Sequence, residues 1–281
     1  MKKKNRISFI TGTGRCGTVT ISNILALSKS CLSMHEGVIQ GEKDLKIKHF
    51  PLLRKLQLDA YFNPHYANEI ISKLRKPQIE EVFNKYNEVI HFCEVAYYFA
   101  PFVNSLYEVF PESKLVFIVR DGRYFVWSAY SADKPDPMPI GYVDHELSTH
   151  ERNIAITRLR PKEGTKASEM WTYFSTFQKN CWLWSETNRI ILEDVKNWPK
   201  DRVKIIQFEN LFNNTEQIKV LLDFLDIDDI EPLDIKRILD KKINARKKRA
   251  IPPPQKWNRK LIEQFDEIAG PVMRCLGYDK F

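Results

Sequence analysis

Glycine is scarce in this sequence, 10 residues in 281, and cysteine scarcer, at five. So little glycine excludes a collagen-like chain, and so few cysteines exclude a disulfide-stapled scaffold. The cysteines, Cys16, Cys31, Cys93, Cys181 and Cys275, never stand in C-x-x-C spacing, which argues against a zinc or redox dithiol site. Their odd number and scatter fit reduced thiols in a cytosolic compartment. No apolar run approaches a membrane span. The basic start MKKKNR is followed only by the short apolar stretch Ile7–Ile10 before TGTG, too little for the core of a secretory signal. The expectation is a soluble, cytoplasmic protein without a transmembrane segment. Acidic residues are also in deficit, 36 against 44 basic, for a net charge of +8. Such a surface favours anionic ligands: phosphates, sulfates, nucleic acid or acidic glycans.

Hydrophobic residues make up 43% of the chain and aromatics 12%, which excludes general disorder. No repeat and no linker divides residues 1–281, so a single domain is expected, with variable segments at about 38–90 and 133–170. The first strand, Ile7–Ile10, runs through a Gly-containing loop, Thr11–Thr18, into a helix over Val19–Leu27. Strand, loop and helix in that order open a parallel α/β unit. Further strands are predicted at Leu32–Met34, Glu88–Glu94, Lys114–Arg120 and Val203–Glu209. The unalternating apolar run at 115–119 suits a strand buried on both faces. The stretch Lys43–Asn87, broken by Pro51, Pro64 and Pro77, reads as several short helices. Helices are also predicted at Phe102–Phe110, Asp121–Ala132, Trp171–Asp194, 215–226, 231–242 and Trp257–Tyr278. Residues 133–167 read as a long loop or lid.

Two constellations carry chemistry. The loop Gly12-Thr13-Gly14-Arg15-Cys16-Gly17-Thr18 lies between a strand and a helix N-terminus, where inward-turned amides and the helix dipole cradle phosphate. Thr18 stands where a Walker A loop carries its lysine, which argues against ATP hydrolysis; Arg15 supplies a cation from another position. The second is Arg120-Asp121-Gly122-Arg123 with Ser128 eight residues past Arg120. An arginine fork and a hydroxyl at a strand's C-terminal end suit a terminal phosphate. A ligand-free turn and a surface serine are the plain alternatives.

Together, G-x-G-R-x-G-T after the first strand and R-D-x-R-x-x-x-x-S after a later one resemble the sulfotransferase family, which uses 3′-phosphoadenosine 5′-phosphosulfate (PAPS). The run Phe110–Arg123 is similar over its whole length, and Met273–Tyr278 resembles the family's last helix and turn. The loop is closest to the bacterial and carbohydrate-type members. The resemblance implies a three-layer αβα fold with a central parallel sheet of P-loop-NTPase-like form. It implies PAPS as donor, 3′-phosphoadenosine 5′-phosphate (PAP) as product and no metal. In the family the first motif holds the 5′-phosphosulfate; here that corresponds to Gly14, Arg15, Cys16, Gly17 and Thr18, with the Val19 amide and Thr20. The second motif, here Arg120 and Ser128, holds the 3′-phosphate. The family's C-terminal R-K-G…G-x-W-K signature is absent, and Arg246–Arg249 with Lys256 and Trp257 are candidates for its role, Arg249 among them.

Sulfuryl transfer needs positioning and charge stabilisation, which Arg15 can supply, together with a base for the acceptor hydroxyl. His35, Glu36 and Glu94 are the candidates. Adjacent strand residues face opposite ways, so one of His35 and Glu36 enters the cleft, and Glu36 is favoured; carbohydrate-type members resemble this with a Glu at about that place. His91 is read as structural. The aromatic group Trp171–Trp184 reads as core, and Arg152, Arg158, Arg160 and Lys162 as a basic lid. The expected acceptor is a hydroxyl on a carbohydrate, lipid or small metabolite. A nucleotide kinase lacking the Walker lysine ranks second. A nucleic-acid or polyanion binder using residues 241–260 ranks third, since aromatics hardly interleave its charges. Oligomeric state is not legible.

Overall fold

A computed structural model describes residues 5–41, 53–130, 140–213, 215–241 and 251–279. Six strands form one sheet: β1 (Arg6–Gly12), β2 (Cys31–His35), β3 (Val38–Ile39), β4 (His91–Val95), β5 (Lys114–Val119) and β6 (Val203–Gln207). Their order is β3-β2-β4-β1-β5-β6. Every pairing is parallel except β2–β3.

Side-chain alternation divides the sheet between two cores. Phe9, Leu32, Met34, Phe92, Leu115 and Phe117 face one side, under the short helices of residues 57–85 and the helices Val103–Val109 and Thr176–Asp194. Ile10, Cys31, Cys93, Val116 and Ile118 face the other, under the helices Thr18–Leu25, Thr215–Phe224 and Pro232–Leu239. Both faces are covered, which is why the central strands read as continuous apolar runs. The result is the expected three-layer αβα arrangement. A third core joins the helices Gly122–Ala129, Thr176–Asp194 and Arg259–Cys275.

β1 lies between β4 and β5, and the chain leaves it toward β2 but later crosses from β4 to β5 on its other side. The strand order reverses there, and the crevice at the strands' C-terminal ends is where open α/β sheets take ligands.

Several boundaries differ from expectation. β3 was not anticipated: it is two residues long and antiparallel, joined to β2 through Glu36 (φ 51°) and Gly37 (φ 81°). Two consecutive positive φ values are what a two-residue I′ hairpin requires. The helix expected from Trp171 starts at Thr176, because Ser175 caps it and pairs reciprocally with Gln178. The expected loop at 133–167 contains a capped helix, Thr149–Ala155. The last helix begins at Arg259 behind the cap Asn258.

Candidate active site

The loop after β1 is wedged in from both sides. A side chain at Gly12 would lie 2.4 Å from the Ile118 carbonyl oxygen of β5. Gly17, the residue capping the helix Thr18–Leu25, has φ +81°, and a Cβ there would meet the Phe212 ring at 2.4 Å. Phe212 is packed on Phe208 with ring centroids 4.8 Å apart. Gly14 (φ 72°) and Arg15 (φ 55°) share the left-handed conformation, so the loop makes the concave backbone turn that collects anions. Cys16 is buried within it, and burial pushes its thiol up to about 11 against the nearby Arg120 charge. It is a packing residue with a backbone amide to offer, not a nucleophile.

The two motifs meet. Arg15 Nε donates to Ser128 Oγ at 3.0 Å, across 113 residues of sequence. Arg120 Nη1 donates to the Arg15 carbonyl, and its guanidinium lies 4.7 Å over the Phe208 ring. The Arg120 Nε is buried with no hydrogen-bond partner among the described residues. Asp121 caps the helix Gly122–Ala129 and clamps Arg123 at 2.6–3.0 Å. The Asp121 amide donates to Glu209, which accepts from the Tyr278 hydroxyl at 2.9 Å. Arg120 is thereby fixed between the loop, the end of β6 and the chain's last turn. Thr18 begins the helix, with Val19 and Thr20 half-exposed beside it.

The base candidates separate. His35, the last residue of β2, has Nε2 3.2 Å from Thr18 Oγ1 and 3.7 Å from Glu36 Oε1. Burial lowers its imidazole to about 4. Glu36 sits in the hairpin turn, in a backbone conformation rare for a residue with a side chain. Burial pushes its carboxyl up to about 7, opposed by the Arg54 charge. Such a carboxyl is poised near neutrality, as a base should be. Glu94, near the end of β4, faces Arg75. It is fully buried with Arg75, Nε to Oε2 3.2 Å, in a contact without an aligned N–H···O bond. His91 is buried on Ser8, as a structural residue would be.

Sequence reasoning missed the residues opposite the loop. Tyr97, just past β4, has its phenol pushed upward by burial and the Glu36 charge, against Arg54, which hydrogen-bonds it, and Arg158. Tyr97 and Arg158 line a cleft with Thr13, Gln57, Ile140 and Thr187. Arg158 is buried against Tyr142 at 4.8 Å, whereas Arg152 is 62% exposed and Lys162 covers the Tyr61 ring. Of the basic lid foreseen, Arg158 alone is shown lining this cleft. Arg54 sits in a stretch that reads only as short helices, and Tyr97 in the unassigned residues between the strand at Glu88–Glu94 and the helix at Phe102–Phe110, so no signal marked them. Among the aromatics, Phe177, Trp182 and Trp184 are core as expected, while Tyr173 is 79% exposed.

The C-terminal candidates divide. Arg246–Arg249 lie outside the described residues. Lys256 is exposed. Trp257 is only 6% exposed, packed on Phe177 and Phe265, with its N–H donated to the Pro252 carbonyl. It supports the segment from below, and the structure does not bring it to the loop as a stacking face. Trp127 ties the same segment to the helix Gly122–Ala129 through the Ile251 carbonyl, 3.1 Å away.

Comparison with known proteins agrees with this fold. The model of the sulfotransferase domain family matches residues 6–250. The chain belongs to the PAPS-dependent sulfotransferase family, and it is an enzyme of that class. Among solved structures, it is similar to the sulfotransferase domain from the curacin biosynthetic pathway, at 14% identity over 99% of both chains with TM-score 0.53. It is also similar to a sulfotransferase from Alicyclobacillus acidocaldarius, at 12% identity over 98% of this chain and 97% of that one, TM-score 0.50. A third, from Mycobacterium avium, has 10% identity over 98% and 78%, TM-score 0.56. At these identities the likeness is one of fold. No curated protein matches the sequence.

Proposed function

We propose that this sulfotransferase moves the sulfuryl group of PAPS to a hydroxyl of a small-molecule or carbohydrate acceptor lying in the Tyr97 cleft, with Glu36 as the base. The observation that carries the reading is the convergence of Arg15, Ser128 and Arg120 on the loop that faces Glu36. The residues fit the donor. The positive-φ loop offers amides, Arg15 and Ser128 offer side-chain donors, and the Arg120 Nε–H is buried and unsatisfied. An anion there gains charge-assisted hydrogen bonds in a water-poor setting. When bound, PAPS supplies a sulfuryl group already activated on a phosphate.

The protein's part is electrostatic. Arg15 and the loop amides hold oxygens on which negative charge builds. Glu36 takes the acceptor's proton, and Arg54 lies close enough to stabilise the ionised carboxylate. Arg158 and Gln57 are placed to bind polar or anionic groups of the acceptor. Calorimetric titration with PAP, with ATP and 5′-AMP as controls, tests the donor site. Tight PAP binding, weakened at least tenfold in Arg15→Ala and Arg120→Ala, is expected. Magnesium-dependent ATP binding indifferent to the 3′-phosphate would replace this reading with a nucleotide kinase.

A further inference from the structure

β2 and β4 gather three soft donors inside the molecule. Cys31 opens β2 and stands in register with His91, which opens β4. Cys93 follows two residues on, on the same face. Two thiol sulfurs and an imidazole nitrogen all lie within 4.8 Å of one another. The three residues are 0%, 1% and 0% exposed. They lie where these strands begin, at the opposite end of the parallel sheet from the phosphate loop.

His91 gives a second, independent pointer. Its Nε2 is 2.9 Å from Ser8 Oγ, while its Nδ1 is buried with no hydrogen-bond partner among the described residues. A metal-bound imidazole has this pattern: one nitrogen held by a hydrogen bond that sets the tautomer, the other presented to the ion.

We propose that Cys31, His91 and Cys93 form a buried structural site for a zinc-class divalent ion, with Ser8 orienting the imidazole. Thiolate and imidazole donors without a carboxylate select zinc over magnesium or calcium. Two thiolates neutralise a divalent ion, which keeps its burial tolerable. Bond lengths of about 2.3 Å to sulfur and about 2.0 Å to nitrogen bring the donors to roughly 3.5–4 Å apart, a contraction of at most about 1.3 Å from separations within 4.8 Å. Each thiol passes its proton to solvent as its sulfur–metal bond forms, with no change of oxidation state. The C-x-x-C rule misses such a site because its ligands come from neighbouring strands. Its effect would be to pin β2, which carries His35 and leads into Glu36, to the centre of the sheet.

The ion must enter while the chain folds, since the donors are closed off. The full chain should therefore be produced in minimal medium containing zinc or cobalt. Metal analysis should find the ion equimolar with protein. The cobalt form should show a near-ultraviolet thiolate charge-transfer band that falls by about half in Cys31→Ala or Cys93→Ala and is unchanged in Cys275→Ala. If the core cysteine variants do not fold, Ser8→Ala retains all three donors and should bind zinc about tenfold more weakly or worse. Metal-free protein from zinc-rich medium, or a cobalt band of equal strength in the folded Cys31 and Cys93 variants, would overturn the proposal. So would unchanged zinc affinity in Ser8→Ala. None of these readouts depends on sulfuryl transfer.

Discussion

Glu36 and His35 are neighbours in sequence, yet burial moves them in opposite senses, to about 7 and about 4. A base works only when deprotonated. With Glu36 as the base, kcat therefore rises with pH through about 7 and levels above it; with His35, the limb would fall near 4. A pH–rate profile separates the two. Glu36→Gln should abolish the limb near 7 and lower kcat by roughly 10²–10⁴-fold while PAP affinity stays unchanged. Arg15→Ala acts on the donor instead. Losing a charge-assisted hydrogen bond of about 1.5–3 kcal/mol weakens PAP binding by roughly 10–150-fold, readable by calorimetry. Arg75→Ala removes the guanidinium that sits beside the fully buried Glu94. Chemical denaturation should show a loss of about 3–5 kcal/mol.

At the scale of elements, the loop is shaped by what presses on it. Gly17→Ala combines left-handed strain with a collision against Phe212, two costs of about 1–3 kcal/mol each. Thermal denaturation should show a Tm several degrees lower, and PAP binding should fall with it. The strand–loop–helix unit and β5 were legible because a short apolar run between turn residues leaves few alternatives. The pairing of Arg15 with Ser128 was legible only as two motifs; that they touch is a product of β1 and β5 being adjacent. The turn at Glu36 was not legible, since nothing local says that a glutamate will adopt positive φ; the hairpin to β3 imposes it. Arg54, Tyr97 and the Cys31–His91–Cys93 cluster were hidden for the same reason. Each is assembled by strand register or helix packing between distant segments, which a local pattern does not encode.

At the scale of the molecule, the +8 charge acts over the Debye length, about 10 Å at moderate salt, and draws anionic donor and product alike. The sheet order has a different consequence, for the order in which the protein can come into being. β1 pairs only with β4 and β5, so its hydrogen-bonding groups meet their partners after about a hundred further residues have been made. Until β5 leaves the ribosome, the half-built sheet has β1 as an open edge. A fragment ending before Lys114 should show no cooperative unfolding transition by circular dichroism. Refolding should be slow, as it is for sheets built from distant strands. The phosphate loop, which rests on Ile118 and Phe212, is among the last parts to take shape. A nascent chain therefore cannot bind nucleotide until most of its length has been synthesised, and during that interval it is a natural client for chaperones.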